Sequence, residues 1–308
     1  MARKRDNGPG GLIVVDKPAG FTSHDVVAKL RGMARTRRVG HAGTLDPMAT
    51  GVLVLGTERA TRLLGHLALT EKEYVATVRL GQETVTEDAE GEITGAQGAK
   101  GLERARVDAA VAALTGRIEQ VPSAVSAVKV DGKRAYARVR EGEEVELAAR
   151  PVTVSSFLVH DVREEAAEDG TPVTDLLVSV VCSSGTYVRA LARDLGSALG
   201  TGGHLTALRR TRVGPYGLDG AHTLAQLQER VDAEEPLPVV PLGQAAAAAF
   251  ARWDVDEDQA RRIGNGVQLR MPAGQFGPGP VAVFAPRERF VALVEQRDGK
   301  ARSLAVFV

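Results

Sequence analysis

The segment Val39-Gly40-His41-Ala42-Gly43-Thr44-Leu45-Asp46-Pro47-Met48-Ala49-Thr50-Gly51-Val52-Leu53-Val54-Leu55 constrains this chain more than any other. It ends in an unbroken apolar run that reads as a buried strand. Just before the run lies a single carboxylate, Asp46, in a turn bounded by glycine and proline. Gly43 permits backbone paths closed to most residues, and Pro47 restricts its own φ. A fold that accepts this segment must bury the strand and carry the turn to the strand's mouth. At this level Asp46 suits either a presented catalytic acid or a solvated turn acid, since aspartate serves both purposes.

Charge decides which partners to consider. The chain has 308 residues and a formal net charge of zero, so it is no indiscriminate polycation. Local charge is uneven, however: residues 1–66 hold eleven Lys or Arg against five Asp or Glu, and residues 131–175 hold eleven acidic against six basic. Arg31, Arg35, Arg37 and Arg38 stand just upstream of the Asp46 turn, as a polyanion-facing surface requires. Cys182 is the single cysteine, which excludes an intrachain disulfide and a multi-thiolate zinc site. No signal-like apolar core follows the basic N-terminus, and no apolar run is long enough to cross a bilayer. The expectation is a cytoplasmic protein without a membrane partner.

Length predicts two domains, or one large domain with an appendage. Leu12–Val15 and Val52–Leu55 read as buried strands. Between them Thr22 or Ser23 caps a helix with Asp25 in its first turn and Val26, Val27 and Leu30 on its apolar face. Leu63, Leu64 and Leu67 suggest a second helix. Tyr74–Leu80 alternates as a strand and is followed by an acidic connection. Val107–Leu114 reads as helix, Gly116–Val130 as extended, and Tyr136–Val139 as helix again. Val152–Val159 and Leu176–Val181 are strands, and Tyr187–Leu199 has helical period. Pro236 to about Ala251 is a candidate boundary, although Ala245–Ala249 equally suits a helix. Beyond it, Val267–Leu269, Val281–Phe284, Phe290–Val294 and Leu304–Val308 predict a small β-rich terminal unit. This order is no regular βαβ repeat; it predicts an α+β fold around a mixed, largely antiparallel sheet.

Several side chains carry candidate chemistry. His41 could contact a base or phosphate, and no His/Cys/acid set accompanies it to hold a metal. Tyr74, at a strand start, could stack on an extracted base or simply fill the core edge. Lys72 could position a phosphate. Arg189 and Arg193 lie one helical turn apart, and one of them could pair with Asp46; arginine beside a carboxylate favours its ionised form. Both also suit a solvated helix face. Arg209, Arg210 and Arg212 could meet an RNA backbone. Cys182 reads best as buried packing.

Taken together, five ordered motifs closely resemble the tRNA pseudouridine synthase B family, the uridine-55 enzymes of the T arm. They are Gly11–Gly20, Gly40–Pro47, Lys72-Glu73-Tyr74, Ser184–Arg189 and Leu208-Arg209-Arg210. The resemblance implies that Asp46 is the essential carboxylate, Tyr74 the base-stacking ring and Arg189 the partner of Asp46. It places Tyr187 in the same pocket motif, makes Leu208 the apolar pocket residue, and gives His41 to recognition of the flipped-out T-loop nucleotides. Lys17 and Pro18 belong to a structural motif. The resemblance further implies a pseudouridine synthase catalytic domain over residues 1–245 with an RNA-binding insertion near 117–146. A PUA-like RNA-binding domain would follow over 250–308. The chain would act on the tRNA T arm as a monomer, with no cofactor and no metal. Two alternatives stand beside this reading: a related synthase acting on another RNA or with a guide RNA, and a noncatalytic RNA-binding or tRNA-folding module. A glycoside hydrolase would need a second, paired acid, and no other acid in the sequence has so defined a role.

Overall fold

The computed structural model describes residues 10–123, 129–130, 133–134 and 147–307, the two short pairs by their backbone only. Its centre is a large mixed sheet. The order across it is His222–Thr223, Gly11–Lys17, Thr50–Thr57, Gly203–Val213, Lys72–Leu80, Pro172–Cys182, Arg150–Ala166 and Gly116–Gln120. Within this order His222–Thr223 beside Gly11–Lys17, and Thr50–Thr57 beside Gly203–Val213, are parallel; the other neighbours run antiparallel.

Alternation explains which face each strand presents. Along Lys72–Leu80 every second residue is buried, beginning with Lys72 and Tyr74. Tyr74, Ala76, Val78 and Leu80 meet Leu45, Val188, Leu191 and Leu195 in one apolar cluster, which the Val188–Leu199 helix closes. A second cluster lies where Ile13, Val15, Leu53 and Leu55 meet the Ser23–Met33 helix through Val26, Val27 and Leu30. That helix starts at a capping box: Thr22 accepts from the Asp25 amide, and Asp25 accepts from Thr22.

The parallel pair at the sheet centre is short, joining only Arg209 to Thr50 and Arg210 to Gly51. Gly51 makes it possible. Its φ is +100°, and a Cβ there would lie 2.1 Å from the Arg210 carbonyl oxygen. The Asp46 turn sits directly before this junction.

The predicted α+β character and mixed, largely antiparallel sheet are therefore present, with a smaller β-rich sheet towards the C-terminus. Its order is Ala251–Asp254, Pro280–Ala285, Arg289–Arg297 and Lys300–Val306. Val267–Leu269, expected as a strand, is irregular; only an isolated bridge from Arg270 to Lys300 follows it. Gly264 ends the preceding helix, and Leu269 and Met271 pack as core from a loop. The Ala245–Ala249 run is helical within Leu242–Ala249 and packs between the two sheets, with Leu12 and Val14 on one side and Phe284, Phe290 and Phe307 on the other. Of the expected insertion, Gly116–Gln120 is an edge strand of the main sheet. The expected Tyr136–Val139 helix lies outside the described residues. Among the described residues no helix is long and apolar enough to cross a membrane.

Candidate active site

The Asp46 turn is held from two sides by buried cations. Ala49 N donates to Asp46 O at 3.1 Å, closing a β-turn with Pro47 in its second position, where its φ is suited. From the first strand, the fully buried Lys17 donates from Nζ to the carbonyls of Pro47, Pro18 and Phe21 at 3.1, 2.9 and 2.6 Å. Burial pushes its ammonium down to about 8. Gly20 N also donates to Pro47 O, and the Ser23 hydroxyl accepts from Leu45 N and donates to Leu45 O. From the opposite side, fully buried Arg210 donates to the carbonyls of Val52, Thr44 and Gly43 at 2.7, 3.1 and 3.2 Å. The turn is a gripped element rather than a tether.

Asp46 itself stays one-third exposed, at 34 %, while its partner Arg189 is buried. Arg189 Nε lies 3.0 Å from Asp46 Oδ2. Its Nη1 donates to Thr86 O at 2.8 Å and stands 3.5 Å from Asp88 Oδ2. Asp88 is buried, and its Oδ1 accepts from the Thr86 hydroxyl and from Glu90 N. One arginine therefore joins an exposed acid to a buried one. A cation fixed on several acceptors orients a carboxylate better than a mobile pair would.

These groups border a cleft of about 840 Å³ whose walls include Asp46, Tyr74, Tyr187, Arg189 and Leu208. Five of the six predicted site residues thus converge. Tyr74 and Leu208 are both buried, on neighbouring strands, and supply an apolar floor. Burial raises the Tyr74 phenol above its ordinary value, so the ring is a neutral platform. Tyr187 caps the Val188–Leu199 helix, and its backbone is clamped by the Gln120 amide at 2.9 and 3.1 Å.

The sixth residue, His41, is set differently. The cleft lining contains exposed His24, against whose ring His41 packs edge-on, centroids 5.7 Å apart. Among the described residues His41 Nδ1 is buried without a hydrogen-bond partner, and burial lowers the ring's basicity.

Other expectations are resolved or corrected. Of the two arginines one helical turn apart, Arg189 is the one at Asp46, while Arg193 bonds Glu87, Asp194 and Val121 O. The arginine patch is engaged internally: Arg209 pairs with Asp16, Arg212 with Glu71 and Glu73, and Arg210 is core. Lys72 is buried, donates to Ala68 O and Thr70 O, and is lowered to about 8 by burial, so it is no exposed phosphate ligand. Buried Cys182, its thiol pushed up to about 11, is packing as expected. Asp88 went unread because its role comes from Arg189, far along the chain; in sequence it is one acid of an acidic connection.

Comparison with known proteins now adds the family. Residues 31–188 match the model of the N-terminal domain of TruB family pseudouridylate synthases. Residues 189–240 match a tRNA pseudouridylate synthase B C-terminal domain, and 250–308 match the C-terminal model of tRNA pseudouridine synthase II. The chain is 72 % identical to tRNA pseudouridine synthase B of Streptomyces griseus, covering 97 % of each protein.

The chain belongs to the TruB family of pseudouridine synthases.

Among other TruB-family relatives, tRNA pseudouridine synthase B of Arthrobacter sp. is 56 % identical over 96 % of each chain. The fold resembles a chain in a Cbf5–Nop10–Gar1 complex, with a TM-score of 0.72 and 25 % identity, covering 97 % of this chain and 85 % of that one. It also resembles a chain of an archaeal box H/ACA Nop10–Cbf5 complex, with a TM-score of 0.70 and 26 % identity, covering 97 % and 86 %.

Proposed function

We propose that this pseudouridine synthase isomerises the T-loop uridine at position 55 of tRNA, with Asp46 as the essential carboxylate. The observation that carries the reading is the Asp46–Arg189 contact at the cleft, 3.0 Å long, beside the Tyr74 and Leu208 floor. The net reaction breaks N1–C1′ and forms C5–C1′; N1 gains a proton and C5 loses one, so no electrons are exchanged with a cofactor. The target base must first leave the RNA stack. Tyr74 then supports the ring while Asp46 meets the glycosidic bond. Attack at C1′, removal of a sugar proton to give a glycal, and addition at uracil C6 all need an ionised carboxylate in that place. Arg189 serves each by holding Oδ2 in direction.

His41, braced against His24, meets the neighbouring flipped-out nucleotides, and Tyr187 borders the same pocket. Residues 1–245 act as the catalytic domain, including the insertion near 117–146. Residues 250–308 form a PUA-like unit that holds the rest of the T arm. The protein works as a monomer in the cytoplasm. Self-contained tRNA recognition is supported by the gap between 56–72 % identity to synthases named for tRNA and 25–26 % to chains from the H/ACA complexes. The direct test incubates the purified protein with an isolated T-arm stem-loop. Pseudouridine is expected at the T-loop uridine without any added RNA; dependence on a guide RNA would overturn the reading.

A further inference from the structure

Arg210 is a fully buried guanidinium with no carboxylate within ion-pair distance among the described residues. A buried charge without a counter-charge is costly unless its donors are satisfied. Here three backbone carbonyls accept one N–H from each of its three nitrogens, and the choice of carbonyls is informative. Gly43 O and Thr44 O belong to the loop that ends in Asp46; Val52 O belongs to the strand that the loop feeds. On its other side Arg210 stands directly opposite Tyr74 in strand register, and both residues line the same cleft. Through the parallel pair Arg210 also stands opposite Gly51. The same cation therefore grips the carrier of the acid and is the cross-strand neighbour of the ring beneath the base.

We propose that Arg210 is a positioning residue for isomerisation, tying the Asp46 loop and Tyr74 to one rigid guanidinium so that acid and base platform keep their spacing. This rests on the assignment of Asp46 and Tyr74 to the reaction. Its geometry explains why an arginine is used where a smaller apolar side chain would pack. A guanidinium presents donors along several fixed directions in one plane, whereas an ammonium is a single centre. Small losses of alignment between reacting groups cost large factors in rate, while the affinity for a large RNA surface is set elsewhere.

The test compares wild type, Arg210→Lys, Tyr74→Phe and the double variant on transcript tRNA. Single-turnover rate, tRNA dissociation constant and thermal midpoint are measured for each. Arg210→Lys is expected to slow the single-turnover step by about 10- to 100-fold while tRNA affinity changes less than threefold. Tyr74→Phe should slow the wild-type protein but leave the Arg210→Lys protein almost unchanged, because the contact between these cross-strand neighbours is already disturbed. A folded Arg210→Lys protein with the wild-type rate would overturn the proposal, as would rate and affinity falling together. So would strictly additive effects of the two substitutions. If Arg210→Lys does not fold, Tyr74→Phe alone decides: an unchanged single-turnover rate contradicts the coupling, and a slower rate at unchanged affinity supports it. An Asp46→Ala control in the same assay separates the two claims, since turnover by that variant would indict the Asp46 assignment instead.

Discussion

At the scale of single residues, the site is a hierarchy of fixed charges around one exposed acid. Arg189 gives its donors to Asp46, Thr86 O and Asp88 from a buried position, which only a planar fork can do at once. Arg189→Lys should therefore reduce the single-turnover rate by about 100-fold or more, the scale of losing one preorganised donor, with tRNA affinity near wild type. Equal rates in a rapid-quench assay would show that the fork is dispensable. Histidine burial sets a pH dependence of stability. His204 is buried with Nδ1 3.1 Å from Gln82 O, and burial lowers its pKa below 6.5. Below pH 6.5 the unfolded chain takes up a proton that folded His204 refuses, so stability held at neutral pH is lost as pH falls and levels off below the folded pKa. Urea midpoints at pH 7.5 and 5.5 should differ more for wild type than for His204→Asn; identical differences would exclude His204 as a contributor.

At the scale of elements, the decisive contact is between Thr50–Thr57 and Gly203–Val213 at Gly51. A methyl group there meets a carbonyl oxygen, in a backbone conformation that strains any non-glycine residue. Gly51→Ala should destabilise the protein by about 3 kcal/mol or more, from strain and overpacking together, read as a lower denaturant midpoint. An unchanged midpoint would mean that the two strands separate easily. Much of this scale was legible beforehand. Thr22, Asp25, Val26 and Leu30 announce the first helix through cap and period, and Tyr74–Leu80 announces its strand through alternation. What local pattern could not convey is pairing across distance. The clustered arginines Arg209, Arg210 and Arg212 read as a surface patch because charge runs usually face water. In the fold Arg210 is buried, while Arg209 and, past a bulge in the strand at Thr211, Arg212 turn to the carboxylates of Asp16 and of Glu71 and Glu73. His41 and His24 likewise exchange prominence, because a helix start delivers His24 to the cleft in front of the motif histidine.

At the scale of the whole molecule, the two sheets share a core. Leu12, Val14, Val52 and Val54 of the main sheet join Phe284, Phe290, Leu293 and Phe307 in one cluster, with the Leu242–Ala249 helix between them. Arg59 and Arg62 also donate to Phe307 O and Val306 O, tying the last strand to the segment after Thr50–Thr57. Phe290 packs between Phe284 and Phe307 with its ring tilted to both, centroids at 5.4 and 4.7 Å. Phe290→Ala should cost about 3–5 kcal/mol and lower the melting of the whole chain. A calorimetric trace in which only a small separate transition moves would contradict a shared core. Both the shared core and the gripped turn bear on one acid, and the most direct measurement concerns it. Pseudouridine is mapped on transcript tRNA after incubation with wild type and with folded, RNA-binding Asp46→Ala. Wild type is expected to modify the T-loop uridine and the variant to leave it unmodified; product formed by the variant at the wild-type rate would refute Asp46 as the essential carboxylate.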